Sequence, residues 1–265
     1  MKNNKVGELI ESAQAQLLEK IKDGATIEKV RSFLDISASF CNYSFRNQIL
    51  IWSQNRKATR VAGFHSWKKL GRSITAGSRS IKIIAPCPYT KKDADGIEEE
   101  YINFRAVSVF DVEQTHGREL PDICDVQGNS EADTLDDTVK YAELSGAKVE
   151  FCKTGRADGW VDGNSDISIS DNMAPNKQLI TLFHELSHIR LGHIGSKEDK
   201  QKKEIEAEVC AYVVSKHFGI DAKSEEYLLT YKAEDEQIMD AFSHATKTAG
   251  AIIAGVEQQR VACSA

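Results

Sequence analysis

The stretch His184-Glu185-Leu186-Ser187-His188 combines residue types and spacing that suggest metal-assisted hydrolysis. On a helix, positions four apart project from one face, so both imidazoles can grip one Zn2+. Glu185 lies one step round, where it can take a proton from water without occupying the metal. A catalytic zinc of this kind wants a third protein ligand and an open fourth position. Downstream, Glu204, Glu206 and Glu208 are the candidates. On a wheel of 100° per residue, Glu204 and Glu208 share a face with Ala207, Ala211 and Ser215. Ile205, Val209, Tyr212 and Val213 make the core face, and Glu206 points away as an expected surface charge. Glu204 and Glu208 therefore compete for the ligand role and for orienting a ligand histidine, with Glu204 favoured. His193 could line the cleft or lie exposed. His65, His116, His217 and His244 belong to no pattern, and no oxyanion-stabilising side chain is identifiable, since Tyr212 faces the core.

These residues need two helices to position them. Leu179, Leu182, Phe183, Leu186 and Ile189 form an apolar stripe that predicts a helix over about 175–192, followed by another over about 200–218. Upstream, helical spacing predicts helices over 6–22, 26–40 (capped by Thr26) and 44–55 (capped by Ser44). Residues 81–85 and 101–110 alternate as strands, with an acidic, Gly-containing turn between them, so a hairpin is expected. The Gly-, Pro-, Asp- and Asn-rich segment 115–130 is the expected domain boundary. Beyond it come a helix over 134–145, a strand over 148–152, a turn and short strand within 159–171, and a closing helix over 234–259. Six cysteines are scattered singly, which argues against disulfides or a thiolate zinc site and for a reducing cytoplasm. No apolar run is long enough for a membrane helix and no secretory leader is visible.

The net charge of −6 over 265 residues conceals a division. Residues 1–92 carry 17 Lys and Arg against six acids, a net of +11, whereas residues 93–265 carry 17 against 34, a net of −17. No acid occurs from Ile36 to Lys92, where eleven basic residues do. Such a segment fits a polyanion, because each phosphate neutralised releases counterions. Its interleaved aromatics could stack unpaired bases or could be core.

The chain resembles the ArdC-type antirestriction proteins of conjugative elements. The likeness is carried by Tyr43-Ser44-Phe45-Arg46-Asn47-Gln48, Ala58-Thr59-Arg60-Val61-Ala62-Gly63-Phe64, Trp67-Lys68-Lys69-Leu70-Gly71-Arg72 and Phe110-Asp111-Val112-Glu113-Gln114-Thr115. It is carried also by the HExxH and by Glu204-Ile205-Glu206-Ala207-Glu208, which is similar to the family's ExxA segment and independently favours Glu204. Ala76-Gly77-Ser78-Arg79-Ser80 departs from the Lys-Gly-Glu-Lys-Gly of many relatives. The resemblance implies an α+β protein of two domains. An N-terminal helical and β-hairpin domain (1–120) would bind single-stranded DNA, and a C-terminal zincin-like domain (121–265) would be a gluzincin-like zinc metallopeptidase. The expected zinc set is His184, His188 and Glu204, with Glu185 as general base and Glu208 as alternate ligand or orienting group. The expected nucleic-acid contacts are Arg46, Asn47, Arg60, Trp67, Lys68, Lys69, Arg72 and Arg79. The resulting expectation is a cytoplasmic hydrolase with Zn2+ as cofactor, acting on an unidentified protein substrate, bound to single-stranded DNA and not to membranes. The alternative is a non-enzymatic protein that shields single strands, with a structural zinc site.

Overall fold

The computed structural model describes residues 2–22, 27–92, 98–120, 131–220 and 235–263. Its helices are α1 (Lys2–Lys22), α2 (Ile27–Ser39), α3 (Phe45–Gln54), α4 (Phe64–Lys69), α5 (Glu131–Leu144), α6 (Pro175–Arg190), α7 (Lys200–His217) and α8 (Asp235–Cys263). The strands are β1 (Val61–Ala62), β2 (Arg72–Ile74), β3 (Ile81–Lys92), β4 (Glu98–Asp111), β5 (Thr115–Gly117), β6 (Val149–Cys152), β7 (Gly159–Val161) and β8 (Ile167–Ser170). This is the mixed helix-and-sheet, two-domain class that the sequence implies. Thr26, the hairpin turn at 93–97 and the segment 121–130 lie outside the described residues.

Two compact units emerge, Met1–Asp23 with Tyr43–Leu120, and Gly24–Asn42 with Pro121–Ala265. A contiguous division at residue 120 would keep α2 in the first unit. The structure assigns it to the second because its side chains bond to α7: Tyr212 Oη donates to Asp35 Oδ1 at 3.0 Å, and Arg31 Nε donates to Tyr212 Oη at 3.2 Å.

In the first unit, β3 and β4 pair antiparallel from Ile81↔Val109 to Lys92↔Glu98, and β1 pairs with the last two residues of β4, Val61↔Asp111 and Ala62↔Phe110, on the side away from β3. The hairpin runs several residues past its expected end at 85. Lys82 N and Ile84 N both point to the outer edge of β3, where they donate to Gln54 Oε1 and Asn47 Oδ1. Pro86 and Pro88 share that parity, so their missing N–H groups cost the ladder nothing. Asn47 and Gln54, seven apart on one face of α3, return the favour through Nδ2 to Ile84 O at 2.9 Å and Nε2 to Lys82 O at 2.8 Å. Two helix amides thereby pair the strand edge.

Buried Asp111 explains the Phe110–Thr115 motif. Its carboxylate accepts from Thr59 N, Arg60 N and Glu113 N at 2.9, 3.1 and 3.1 Å, while Gln114 Oε1 accepts from Asp111 N at 2.9 Å. Trp67 is fully buried and donates Nε1–H to Phe110 O at 2.9 Å.

In the second unit α7 is the central element, with Ile205, Val209, Tyr212 and Val213 buried as the wheel predicts. It packs against α6, α8 and α2. Segment 159–171 holds two strands where one was expected: β8 lies between parallel β6 and antiparallel β7. At the end of α7, His217 Nε2 donates to Glu257 Oε1 at 2.9 Å, and Nδ1 approaches Ala38 O at 3.1 Å and Cys41 Sγ at 4.0 Å. Burial opposes protonation of His217, but Cys41, Glu257 and the Ala38 carbonyl override it and push its pKa up to about 9. The folded value exceeds the unfolded one near 6.5, so this stabilisation is complete below pH ~6.5 and fades as pH rises through ~9. The stability gap between wild type and His217→Gln, measured by urea unfolding, is therefore expected to shrink from pH 6 to pH 9.5. A gap that stays constant or widens refutes the assignment.

Candidate metal centre

Pro175 opens α6 at its first turn, and Leu179, Leu182, Phe183 and Leu186 anchor one face in the core. That anchoring turns His184, Glu185 and His188 toward α7 and β7. Asp199 caps α7 by accepting from Lys202 N at 3.1 Å, and one turn later Glu204 meets the histidines. His184 Nε2 and His188 Nε2 lie 3.1 Å apart, and Glu204 Oε2 lies 3.6 and 3.7 Å from them. Donors about 2.0–2.2 Å from a tetrahedral ion sit about 3.4 Å apart, so these three atoms fit one divalent metal ion.

Glu208 takes another position. Its Oε2 accepts from His184 Nδ1 at 3.0 Å, on the ring side away from the three donors. It thereby holds the Nε2 lone pair of His184 toward the metal position, the arrangement in which a carboxylate orients a ligand imidazole. Burial would depress the His184 pKa, but the bonds to Glu204 and Glu208 override it and push it up to about 10. The same histidines hold Glu204 well below the usual carboxylate range. In the metal-free protein a proton thus does at neutral pH what a cation would do: it neutralises the acids between the rings.

Glu185 occupies the wall beside this triangle. Burial lifts its carboxyl above the ordinary range, with His184 and His188 acting in the opposite direction, and it accepts a hydrogen bond from the Val161 backbone N–H. Among the described residues β7 has a strand on one side only. Ser170 N donates to Asp158 O at 2.9 Å and Asp162 N to Asp166 O at 3.0 Å, so the alternate residues 159 and 161 turn their backbone groups to the free side. An open cleft of about 440 Å³ lies here, bounded also by Trp160, Ile194, Lys200 and Lys203. Gly159 is required for close packing, because a Cβ would come 2.7 Å from Thr181 Cγ2 and 2.9 Å from Ser168 O.

Glu206 departs from the expectation for it, and of the two alternatives for His193 the structure shows the cleft-lining one. Glu206 is buried, not a surface charge, and accepts from His193 Nε2 at 2.9 Å. His193 is buried as well, with Nδ1 2.9 Å from His188 Nδ1. His193, Glu198 and Glu206 also bring donor atoms within 4.8 Å of one another. Lys202 Nζ already lies 2.7 Å from Glu198 and 3.9 Å from Glu206, so an ammonium balances those acids. The signal in the sequence was the Gly192-His193 pair directly after the helix. Tyr212 is tied to Asp35 and Arg31 and takes no part in the cleft.

The expected nucleic-acid residues separate into two sets. Arg46, Lys68, Lys69 and Arg79 are exposed and Arg60 is half-buried. Asn47, Trp67 and Arg72 serve the interior instead: Asn47 pairs with Ile84, Trp67 has no face to offer a base, and Arg72 binds Thr115 Oγ1 at 2.8 Å and Thr115 O at 3.0 Å. Phe64, four residues before Lys68 on α4, is one of the interleaved aromatics of the basic segment and lies exposed.

Two domain families match this chain. Residues 4–116 match the N-terminal domain of anti-restriction factor ArdC, and residues 142–249 match an IrrE N-terminal-like domain. The chain thus joins an ArdC-type N-terminal domain to an IrrE-like domain. An uncharacterized protein of Bacillus anthracis is 25% identical over 269 residues, covering 82% of this chain and 46% of that protein. The chain thus spans about half the length of that curated relative. The metal-free crystal structure of the antirestriction protein ArdC from plasmid R388 matches with a TM-score of 0.56 at 15% identity, covering 94% of this chain and 98% of that one. Likeness at that identity speaks for the fold. The Mn(II)-bound crystal structure of the same protein gives 0.49 at 17% identity, covering 84% and 97%.

The geometry separates the two acids on α7 experimentally. Glu204→Gln is expected to abolish tight zinc binding in a competition titration, whereas Glu208→Gln weakens it by about 10–100-fold. The reverse order would exchange their roles. Zinc uptake near pH 7 is also expected to release about one proton from the site, read by calorimetry in buffers of differing ionisation enthalpy. No buffer dependence would remove the protonated His184.

Proposed function

We propose that this protein is an antirestriction-family, zinc-dependent peptidase joined to a single-stranded-DNA-binding unit. The observation that carries the peptidase reading is the convergence of His184 Nε2, His188 Nε2 and Glu204 Oε2 on one point that opens into a cleft beside Glu185. Two imidazoles and one carboxylate suit zinc, and three protein donors with open access suit a catalytic rather than a closed structural site. When bound, zinc supplies Lewis acidity for polarising a carbonyl and acidifying water.

The chain's own groups provide the rest. Glu185, lifted by burial and held by Val161 N–H, is placed to take a proton from water and return it to the departing amine. The outward backbone groups of Gly159 and the carbonyl of Val161 offer an extended peptide a strand-like partner. Glu208 keeps the His184 ring in its coordinating orientation throughout.

For DNA, the supporting observation is the basic composition of residues 1–92 with Arg46, Lys68, Lys69 and Arg79 exposed, and with Phe64 available for stacking. Non-enzymatic shielding of single strands is the rival reading, and the open cleft speaks against its closed structural zinc.

Zinc-loaded wild type is expected to cleave members of a quenched-fluorescence peptide library, and Glu185→Gln to lose that cleavage while retaining zinc. Cleavage by the variant would end the general-base role, and an inert wild type would end the peptidase reading. Reversing Arg46, Lys68 and Lys69 to glutamate should weaken binding of a labelled oligo-dT strand and reduce its log–log salt slope by about 2. An unchanged slope removes these three contacts.

A further inference from the structure

Helix α6 ends in a turn that its sequence specifies. Gly192 has φ +72°, a conformation that costs other residues a steric penalty, and it follows the last helical residues directly. Gly192 N donates to Ile189 O at 3.0 Å, and His193 N donates to His188 O at 2.9 Å. These are the paired bonds of a Schellman turn, which folds the second residue after the helix back over the one that opens its last turn. In many helices that contact is apolar. Here it is imidazole against imidazole, with His193 Nδ1 2.9 Å from His188 Nδ1. Behind His193, Glu206 Oε2 lies 2.9 Å from Nε2, and the two residues are 4% and 1% exposed.

The polarity of this chain of bonds follows from its far end. A carboxylate only accepts, so His193 Nε2 carries the hydrogen. A neutral imidazole with Nε2–H keeps a lone pair on Nδ1, which must accept from His188 Nδ1–H. His188 Nε2 is then bare, and it faces His184 Nε2 and Glu204 Oε2 at 3.1 and 3.7 Å. Lys202 Nζ, 3.9 Å from Glu206 Oε1, supplies positive charge to the buried carboxylate from its other side, and His244 Nδ1 lies 3.4 Å from the same oxygen.

We infer that His193 and Glu206 form a directional relay that holds His188 in the tautomer and ring orientation needed to bind the metal, making both of them positioning residues. The inference rests on the proposed metal role of His184, His188 and Glu204. It also assigns His193 away from the metal, although its spacing after the HExxH would suit a ligand: its nitrogen contacts the far side of the His188 ring. His184 is aimed directly by an acid, Glu208, whereas His188 is aimed by an acid through an intervening imidazole.

The test uses Zn2+ alone, titrated into the full chain against a chromophoric chelator, with the melting temperature of each metal-free variant measured alongside. In Glu206→Gln an amide can either donate or accept, so the direction is lost, and zinc affinity should fall about 10–100-fold. His193→Leu breaks the chain and should fall similarly. His193→Gln presents an acceptor and a donor in the required order, and its affinity should stay within about threefold of wild type. Wild-type affinity in Glu206→Gln overturns the relay, as does wild-type affinity in His193→Leu. Equal loss in His193→Gln and His193→Leu also overturns it, because that is the pattern of a direct ligand. Should the leucine variant fail to fold, Glu206→Gln against His193→Gln still decides. If wild type binds no zinc, the metal reading falls with the relay; if only the variants match wild type, the relay alone falls.

Discussion

An imidazole on a helix can rotate about its own axis, and only one of its orientations serves a metal. The centre depends on overcoming that freedom with acids supplied by α7. Glu204 completes the donor triangle, Glu208 fixes His184, and Glu206 reaches His188 through His193. All three requirements fix the placement of α7 against α6, and the apolar packing of α7 does the fixing. Its buried residues seal the helix among α6, α8 and α2, so the glutamates have no latitude to turn away.

Much of this was legible in the sequence, and the failures have identifiable causes. Periodicity is a strong signal for long amphipathic helices, so α6 and α7 and their facing residues followed from spacing alone. The wheel was right that Glu206 points away from Glu204 and Glu208. It was wrong about what lies in that direction, because a wheel describes one helix and cannot see the turn carrying His193 or the neighbouring α8 with His244. Strands β1, β2, β5 and β7 have two or three residues each, too few to show alternation. Tertiary pairing defines them, and β7 among them forms a wall of the cleft.

The first unit shows how composition can mislead at single residues while remaining informative in aggregate. A basic stretch with aromatics makes Asn47, Trp67 and Arg72 expected nucleic-acid contacts, although any one aromatic could equally be core. Yet Trp67 fills the core, and Asn47 and Arg72 spend their hydrogen bonds on backbone that would otherwise lack partners. The charges that reach solvent are those whose neighbours make no such demand, Lys68 and Lys69 on the short α4 being the clearest instance.

The route of the polypeptide also constrains how this protein can be divided. The chain enters the second unit at residue 24, leaves after 42, and returns at 121. A fragment beginning at 121 would lack α2 and strip Tyr212 of its hydrogen bonds to Asp35 and Arg31 on the helix that carries Glu204, Glu206 and Glu208. Deleting residues 1–23 together with 43–120 would be the gentler dissection, since it removes one unit whole and leaves the other its complete set of helices. The two halves are interleaved in sequence although each is compact in space, so neither can be excised with a single cut.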